Sequence, residues 1–262
     1  MRLGQFKADL HVHTCLSPCA DLSMGPRAIV AKAVQRGLDV IGVADHNSAE
    51  NALAVVNAAA RRNLTVLAGL EVTTQEEVHV LALFDRVEEA EQLQELVYQH
   101  LPGENDPEAF GLQVVVSADH DVVGFNTRLL AGAAELSLER VVESIHALGG
   151  LAIAAHADRP AFGILGQLGF IPEQLPLDAV ELSANTTPEE FRRRFPQCAG
   201  RAFLRGSDAH TLEDVGTAST FFRLREPTTA EIKKAFRGEG GRQLSLAAAE
   251  RSDAGRRKRA IG

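Results

Sequence analysis

The sequence has no tryptophan and a single tyrosine, and its 5% aromatic content rests on 12 phenylalanines. A groove that stacks successive bases needs aromatic side chains interleaved with basic ones, and this composition offers little for one. Positive charge is short as well: 27 Lys and Arg stand against 35 Asp and Glu, a net charge of −8. No general attraction to nucleic acid or to an anionic lipid surface is expected. No run approaches the ~20 apolar residues that span a bilayer, so no membrane partner is expected. No apolar signal segment precedes the first strand-like run either, which makes the cytoplasm the default location. Cysteine is scarce and odd in number, with 3 in the chain, as suits unpaired thiols in a reducing compartment. Nothing in the composition speaks to oligomeric state.

What is present is enough apolar residue, 45% of 262, to bury one large core, and a single α/β barrel fits that length. Strand-like runs alternate with helical ones along the chain. Strands are expected at Phe6–His13, Asp39–His46, Thr65–Thr73, Val78–Phe84, Gln113–Ala118, Gly150–His156, Ala179–Ser183, Phe203–Asp208 and Thr220–Leu224. Several are near-continuous apolar stretches, as in strands covered by helices on both faces. A helix starting at Pro26 stops at Gly37. Asn47 with Glu50 reads as a capping pair for a helix through Arg62. Ser137 caps a segment whose Val141, Val142, Ile145 and Leu148 form an apolar stripe ending at Gly149-Gly150. Thr228 with Glu231 forms a capping box before Ile232–Phe236. Residues 101–134 break the rhythm and read as an insertion over one mouth of the barrel. Residues 1–250 thus form one unit, and 251–262, with Arg256-Arg257-Lys258-Arg259, read as a disordered basic tail.

Histidines and carboxylates collect at the strand ends. In Asp9-Leu10-His11-Val12-His13 the two histidines are two apart, which on a strand puts both on one side. Asp9 shares their parity and could accept the second ring N–H of a ligating histidine. Asp45-His46 end the second run, Glu71 lies near the end of the third, His156 ends another, and Asp208 and His210 follow Phe203. His79 stands apart, at the start of its run. In parallel α/β barrels functional groups gather at the carboxyl ends of strands. Mixed imidazole and carboxylate ligands suit Zn²⁺, Mn²⁺ or Fe²⁺. So many donors point to two or three ions sharing ligands, with Glu71 as the natural bridge, and such clusters supply a hydroxide and neutralise phosphoryl oxygens.

Together these residues resemble the PHP (polymerase and histidinol phosphatase) superfamily. The matching motifs are Asp9-Leu10-His11-Val12-His13-Thr14, Ala44-Asp45-His46-Asn47, Gly69-Leu70-Glu71 with His79, Ala155-His156-Ala157-Asp158 and Gly206-Ser207-Asp208-Ala209-His210. They occur in order over roughly residues 6–237, and 206–240 is similar to a PHP-associated C-terminal region. The resemblance implies a distorted (β/α)7 barrel and a trinuclear metal site. His11, His13, Glu71 and Asp208 would hold the first ion. Glu71, His79 and His156 would hold the second, with a metal-bound hydroxide between the two. His46 and His210 would hold the third, with one ligand from the loop after the first motif. That loop reads Ser17-Pro18-Cys19-Ala20-Asp21, where many family members carry His or Asp, so the last ligand is expected to be Cys19 or Asp21, failing which the third site is weak or empty. A thiolate there would favour zinc.

Asp45 is expected to hydrogen-bond behind the ligands rather than to ligate. Arg159 could fork onto a phosphate or pair with Asp158, and Arg128 is a second phosphate candidate. His146 reads as a packing residue, His100 and His120 as surface residues, and Cys15 and Cys198 as structural. The expected function is a metal-dependent phosphoesterase acting on small phosphomonoesters. The alternatives are a PHP-type nuclease on short oligonucleotides, an amidohydrolase-like barrel, and a non-enzymatic metal-binding regulatory domain.

Overall fold

The apolar runs become strands buried on both faces. A computed structural model describes residues 2–183 and 186–246, so the basic tail at 251–262 lies outside the described residues. In chain order the elements are β1 (Gly4–Val12), α1 (Pro26–Gln35), β2 (Val40–His46), α2 (Ala52–Ala59), β3 (Thr65–Thr73), β4 (His79–Phe84), α3 (Val87–Gln99), α4 (Pro107–Phe110), β5 (Val114–Val116) and β6 (Val122–Phe125). They continue with α5 (Leu138–Ala147), β7 (Leu151–Ala154), α6 (Ile164–Gln167), β8 (Ala179–Glu181), α7 (Pro188–Arg194), β9 (Phe203–Leu204), β10 (Thr220–Leu224), α8 (Thr229–Phe236) and β11 (Gln243–Ser245).

One sheet runs β11-β10-β1-β2-β3-β4-β7-β8-β9. The chain after β9 then returns to β1: His13 N–H donates to the Ala209 carbonyl at 3.0 Å and Ala209 N–H to that of His11 at 3.2 Å. A parallel bridge between Val12 and Ala209 thereby nearly closes a barrel of β1, β2, β3, β4, β7, β8 and β9. The expected distorted seven-stranded α/β barrel is what forms. Its distortion is β4, which is antiparallel to both β3 and β7.

Inside the barrel, Leu10, Ala44, Leu67, Leu81, Leu83, Ile153 and Leu204 form an apolar plug beneath the site. Adjacent strands approach closely here: a Cβ on Gly69 would run into the Ala82 carbonyl. Outside, α1 and α2 cover Ile41 and Val43, and α3 and α5 cover the far wall. Helix α5 starts as expected, with Ser137 Oγ accepting from Arg140 N–H at 3.3 Å, and Gly149 takes φ 79° after its end.

Two helix starts differ from expectation. Asn47 does not cap α2, which begins at Ala52 and ends at Ala59 rather than Arg62. It adopts φ 52° instead. Its amide donates to the carbonyls of Leu130 and Gly132 at 2.9 and 2.8 Å, and its oxygen accepts from Thr73 N–H at 3.0 Å. Asn47 is a tie between barrel and insertion. At α8, Thr228 accepts from Glu231 N–H, yet the Glu231 carboxylate turns away to Arg242, so only half the capping box forms. The insertion contains α4 and a separate hairpin, β5–β6; β6 is apolar, with Val122, Val123 and Phe125, yet these side chains stay exposed.

Candidate metal centre

Alternation along the strands aims the ligand candidates inward. On β2 and β3, His46 and Glu71 share the parity of Ala44 and Leu67 in the plug. Because β4 runs antiparallel, its first residue lies at the carboxyl end of β3, with His79 opposite Thr73. That reversal explains the one histidine that began its run. On β1 a register shift between Asp9 and Val12 lets Leu10 join the plug while His11 and His13 join the site above. His156 and Asp208 take φ 26° and 51°, rare for residues with a side chain. At His156, which follows the plug residue Ala155, this overrides the parity that would turn it outward.

Glu71 is the hub. Its Oε1 lies 2.9 Å from His79 Nδ1, 3.1 Å from His156 Nε2 and 3.5 Å from His11 Nε2. Its Oε2 lies 3.1 Å from His46 Nδ1 and 3.5 Å from His13 Nε2. Asp208 Oδ1 stands 3.1 Å from His13 Nε2 and 3.3 Å from His11 Nε2. His11 Nε2 and His13 Nε2 themselves are 3.1 Å apart. Burial opposes charge on Glu71, but His79, His11 and His46 together hold its pKa well below the usual carboxylate range. Asp208 is likewise held low, against burial, by His11 and His13. Burial would lower His11, yet Glu181, Asp208 and Glu71 raise it well above the ordinary value. Burial keeps His46 well below its ordinary value in spite of Glu71, and burial with the charge at His13 takes His210 down to about 4.

Hydrogen bonds behind the ligands fix which ring nitrogen faces the site. His11 Nδ1–H donates to Glu181 Oε2 at 2.9 Å. Ser17 Oγ gives its proton to Asp45 Oδ1 at 2.6 Å and therefore accepts from His13 Nδ1–H at 2.9 Å. His210 Nδ1–H donates to the Asp208 carbonyl at 2.8 Å. In all three Nε2 is the ring nitrogen turned toward the site, the one a ligating histidine would use. Asp45 also accepts from Thr14 N–H and Oγ, each at 2.7 Å, and so hydrogen-bonds behind the ligand candidate His13 through Ser17.

Asp9 behaves differently from expectation. It accepts from Ser207 N–H and Oγ and from Gly216 N–H, at 2.9, 2.6 and 2.8 Å, and burial raises its pKa to about 6 against those bonds. It pins the turn that carries Asp208 and receives no ring N–H. The carboxylate that does so is Glu181, which sequence reasoning missed. Its signal was present, a carboxylate ending a strand like the others, but the strand is only Ala179–Glu181.

Three sets of donor atoms lie within 4.8 Å of one another: His11, His13, Glu71 and Asp208; His46, Glu71 and His79; and His13, His46 and His210. Among the described residues the partner in reach of His46 and His210 is thus His13, and Cys19, Asp21 and His156 join no set, His46 taking the place expected of His156 beside Glu71 and His79. Cys19 lies on the exposed rim of a recess beside His46 and His79, its thiol pushed up to about 12 by desolvation and then by Glu71. Asp21 is exposed and its carboxylate accepts from Ser23 N–H at 2.7 Å. Arg159 reaches the site by pairing with Asp208 at 2.6 Å; Asp158 instead accepts from Ser183 N–H and Thr186 Oγ. Arg128 stacks on Tyr98 at 4.1 Å. His146 bonds Asp178 at 2.9 Å, and Cys15 and Cys198 are buried.

The donors fit divalent cations. Glu71 Oε2 is buried without a hydrogen-bond partner among the described residues, a cost that a bound cation would remove. Two imidazole nitrogens facing each other beside two carboxylates form a typical nitrogen–oxygen donor set for zinc, manganese or iron.

The PHP domain family matches residues 9–162, more than half of the chain. The chain belongs to that family. A PHP-associated family matches residues 190–239, reaching further back than 206. No curated protein matches the chain. Among solved structures, the lesion-specific endonuclease PfuEndoQ from Pyrococcus furiosus aligns with a TM-score of 0.68 at 20% identity, over 92% of this chain and 58% of its own. Endonuclease Q bound to a 27-mer duplex with an abasic lesion at the active site aligns at 0.65 and 18% identity, over 92% and 58%. A protein described as a metal-dependent phosphoesterase, from Bifidobacterium adolescentis, aligns at 0.54 and 21% identity, over 78% and 87%. These identities speak for the PHP fold, and the chain spans little more than half the length of the endonuclease. No helix among the described residues is long and apolar enough to cross a membrane.

Proposed function

We propose that this PHP protein is a metal-dependent phosphoesterase that hydrolyses small phosphomonoesters. The observation that carries the reading is Glu71, one buried carboxylate within 3.5 Å of five imidazoles. Two to three divalent ions, zinc, manganese or iron, would be held there. His11, His13, Glu71 and Asp208 would hold one. Glu71 would be shared with a second held by His79 and His156, with His46 in reach, and His46 and His210 would serve a third. Bound ions of this kind lower the pKa of water and neutralise phosphoryl oxygens.

The chain supplies the rest. Glu181 and Ser17 hold His11 and His13 in the tautomer that presents Nε2. Asp9 fixes the Ser207 turn and hence the position of Asp208. Arg159, 45% exposed while paired with Asp208, is placed to present its remaining N–H groups to a phosphate at the mouth. The barrel floor of leucines and alanines keeps water away from the inner side.

Hydrolysis of a strand end or of a lesion-bearing strand is the second reading, favoured by the fold shared with a DNA-bound endonuclease and opposed by the net charge of −8. The test is to measure metals in the purified protein and assay phosphomonoesters and short oligonucleotides before and after chelation. Monoester hydrolysis that chelation removes and metal restores is expected. A fully loaded protein that cleaves neither class overturns the phosphoesterase reading, and preference for oligonucleotides promotes the second one.

A further inference from the structure

Beside His46 and His79 lies a recess of about 360 Å³ whose other walls are apolar or nearly so. Two phenylalanines line it. Phe162 stacks on His79 with ring centroids 4.5 Å apart, and its carbonyl accepts from His79 N–H at 2.9 Å. It does so with φ 61°, a conformation that costs about 1–3 kcal/mol for a residue with a side chain. Phe110 ends α4, which the insertion delivers to the mouth: Asp106 caps Glu108 N–H at 3.0 Å, and the Asn105 amide holds the Gly111 carbonyl at 3.0 Å. Both rings remain open, Phe162 at 38% and Phe110 at 46% exposure, although burial would favour each of them. Around them stand Pro18, Cys19, Ala109 and Ala131, with no Lys, Arg, Asp, Glu or amide side chain on the wall.

We propose that Phe110 and Phe162 form the subsite for the leaving group, and that the substrate carries a flat, apolar-faced ring next to its phosphate. This rests on the phosphoesterase reading, which puts the phosphate at the metal cluster. A polyol in this recess would exchange water for walls that offer its hydroxyls few partners. A ring gains contact with phenylalanine faces in offset or edge geometry. The volume lies near the lower end of small-molecule pockets, about 300–1,000 Å³, enough for one ring system and a phosphate. Among the described residues no hydrogen bond or ring contact joins Phe110 to a ligand candidate, whereas Phe162 stacks on His79, so Phe110 separates ring recognition from the integrity of the metal site. Phe162 does both, by packing on His79.

The test uses metal-loaded protein and two non-hydrolysable probes, phenylphosphonate and methylphosphonate, whose binding is measured by calorimetry. Phenylphosphonate is expected to bind about tenfold tighter, within the range for a single aromatic stack. Phe110→Ala should bring the two affinities close together, and Phe110→Leu should recover part of the difference. In parallel, the ratio of kcat/KM for phenyl phosphate over glycerol 2-phosphate should fall about tenfold in Phe110→Ala, a comparison from which intrinsic leaving-group reactivity cancels. A nucleoside 5′-monophosphate set against a 5′-phosphorylated dinucleotide tells a free small molecule from a strand end as the source of the ring. Equal phosphonate affinities in the unmodified protein, or ratios unchanged in Phe110→Ala, overturn the ring subsite while leaving phosphoesterase activity standing. Failure of the underlying reading looks different: no ester is hydrolysed and neither phosphonate binds.

Discussion

His11 and Glu181, 170 positions apart, meet at 2.9 Å between Nδ1 and Oε2. The same carboxylate oxygen accepts from His156 N–H at 3.0 Å, so one side chain steadies two residues that approach Glu71 from different strands. Carboxylates placed behind ligating histidines typically account for about 10–100-fold in metal affinity. Glu181→Gln keeps the volume and an acceptor oxygen but loses the charge. Competition titration against a chromophoric chelator should show zinc or manganese affinity falling by about that factor. Affinity equal to that of the unmodified protein would remove Glu181 from the metal centre.

Glu71 has a larger expected effect. It offers a carboxylate oxygen to each of two of the three donor sets, whereas Glu181 joins none. Glu71→Gln should therefore lower metal content itself, and by more than the roughly 10–100-fold change in affinity expected behind the ligands. Elemental analysis after gel filtration reads the stoichiometry. A Glu71→Gln protein with the full complement of ions and full phosphomonoester hydrolysis would refute the shared-carboxylate arrangement.

Much of this centre was legible because strand parity is a rigid rule. His46 and Glu71 share their parity with plug residues two and four positions earlier, and reading alternation is enough to find them. His79 needed one more step. Only five residues separate β3 from β4, too few for a parallel crossover, so the start of β4 has to return beside the end of β3. His156 lay beyond such reasoning, since its φ of 26° is set by tertiary contacts rather than by propensity. Glu181 takes the role expected of Asp9 for a similar reason. Which carboxylate meets the His11 ring depends on how β8 and the Ser207 turn pack against β1, and local sequence does not carry that. The barrel itself was readable from buried apolar strands alternating with capped helices, whereas Asn47 misled as a cap because its amide serves the insertion 83 and 85 positions later.

Gly206 is required by the same packing. A Cβ there would run into Glu181 Oε1 and stand 2.8 Å from His11 Cβ. Gly206→Ala must push apart the pair that fixes the His11 tautomer. Overpacking of this kind costs about 1–3 kcal/mol, and thermal unfolding of the metal-free protein should fall accordingly. Metal affinity should fall with it, because the displaced group is Glu181. An alanine variant that loses stability but binds metal normally would show that the His11–Glu181 contact tolerates displacement.

Glu231 and Arg242 form a two-pronged ion pair, with Arg242 Nε and Nη2 each 2.8 Å from a Glu231 oxygen. Arg225 N–H and Lys234 Nζ add bonds at 3.1 and 3.0 Å. The Arg242 hydrogen bonds are the main cause of a Glu231 pKa lowered from 4.5 to about 2. Since the folded value lies below the unfolded one, the pair contributes stability that is complete above pH 4.5 and is lost as pH falls toward 2. Arg242→Gln leaves Glu231 without its main partner. Urea unfolding at pH 7 should therefore show a clear loss, and the loss should shrink on going to pH 3, where the unmodified protein is itself giving up the interaction. Asp158 and Asp178, whose pKa values are also lowered, keep some acid sensitivity in both proteins, so the difference between the two curves is the quantity to follow. A difference that stays constant from pH 7 to pH 3 would mean that Arg242 acts through packing of its stem rather than through charge.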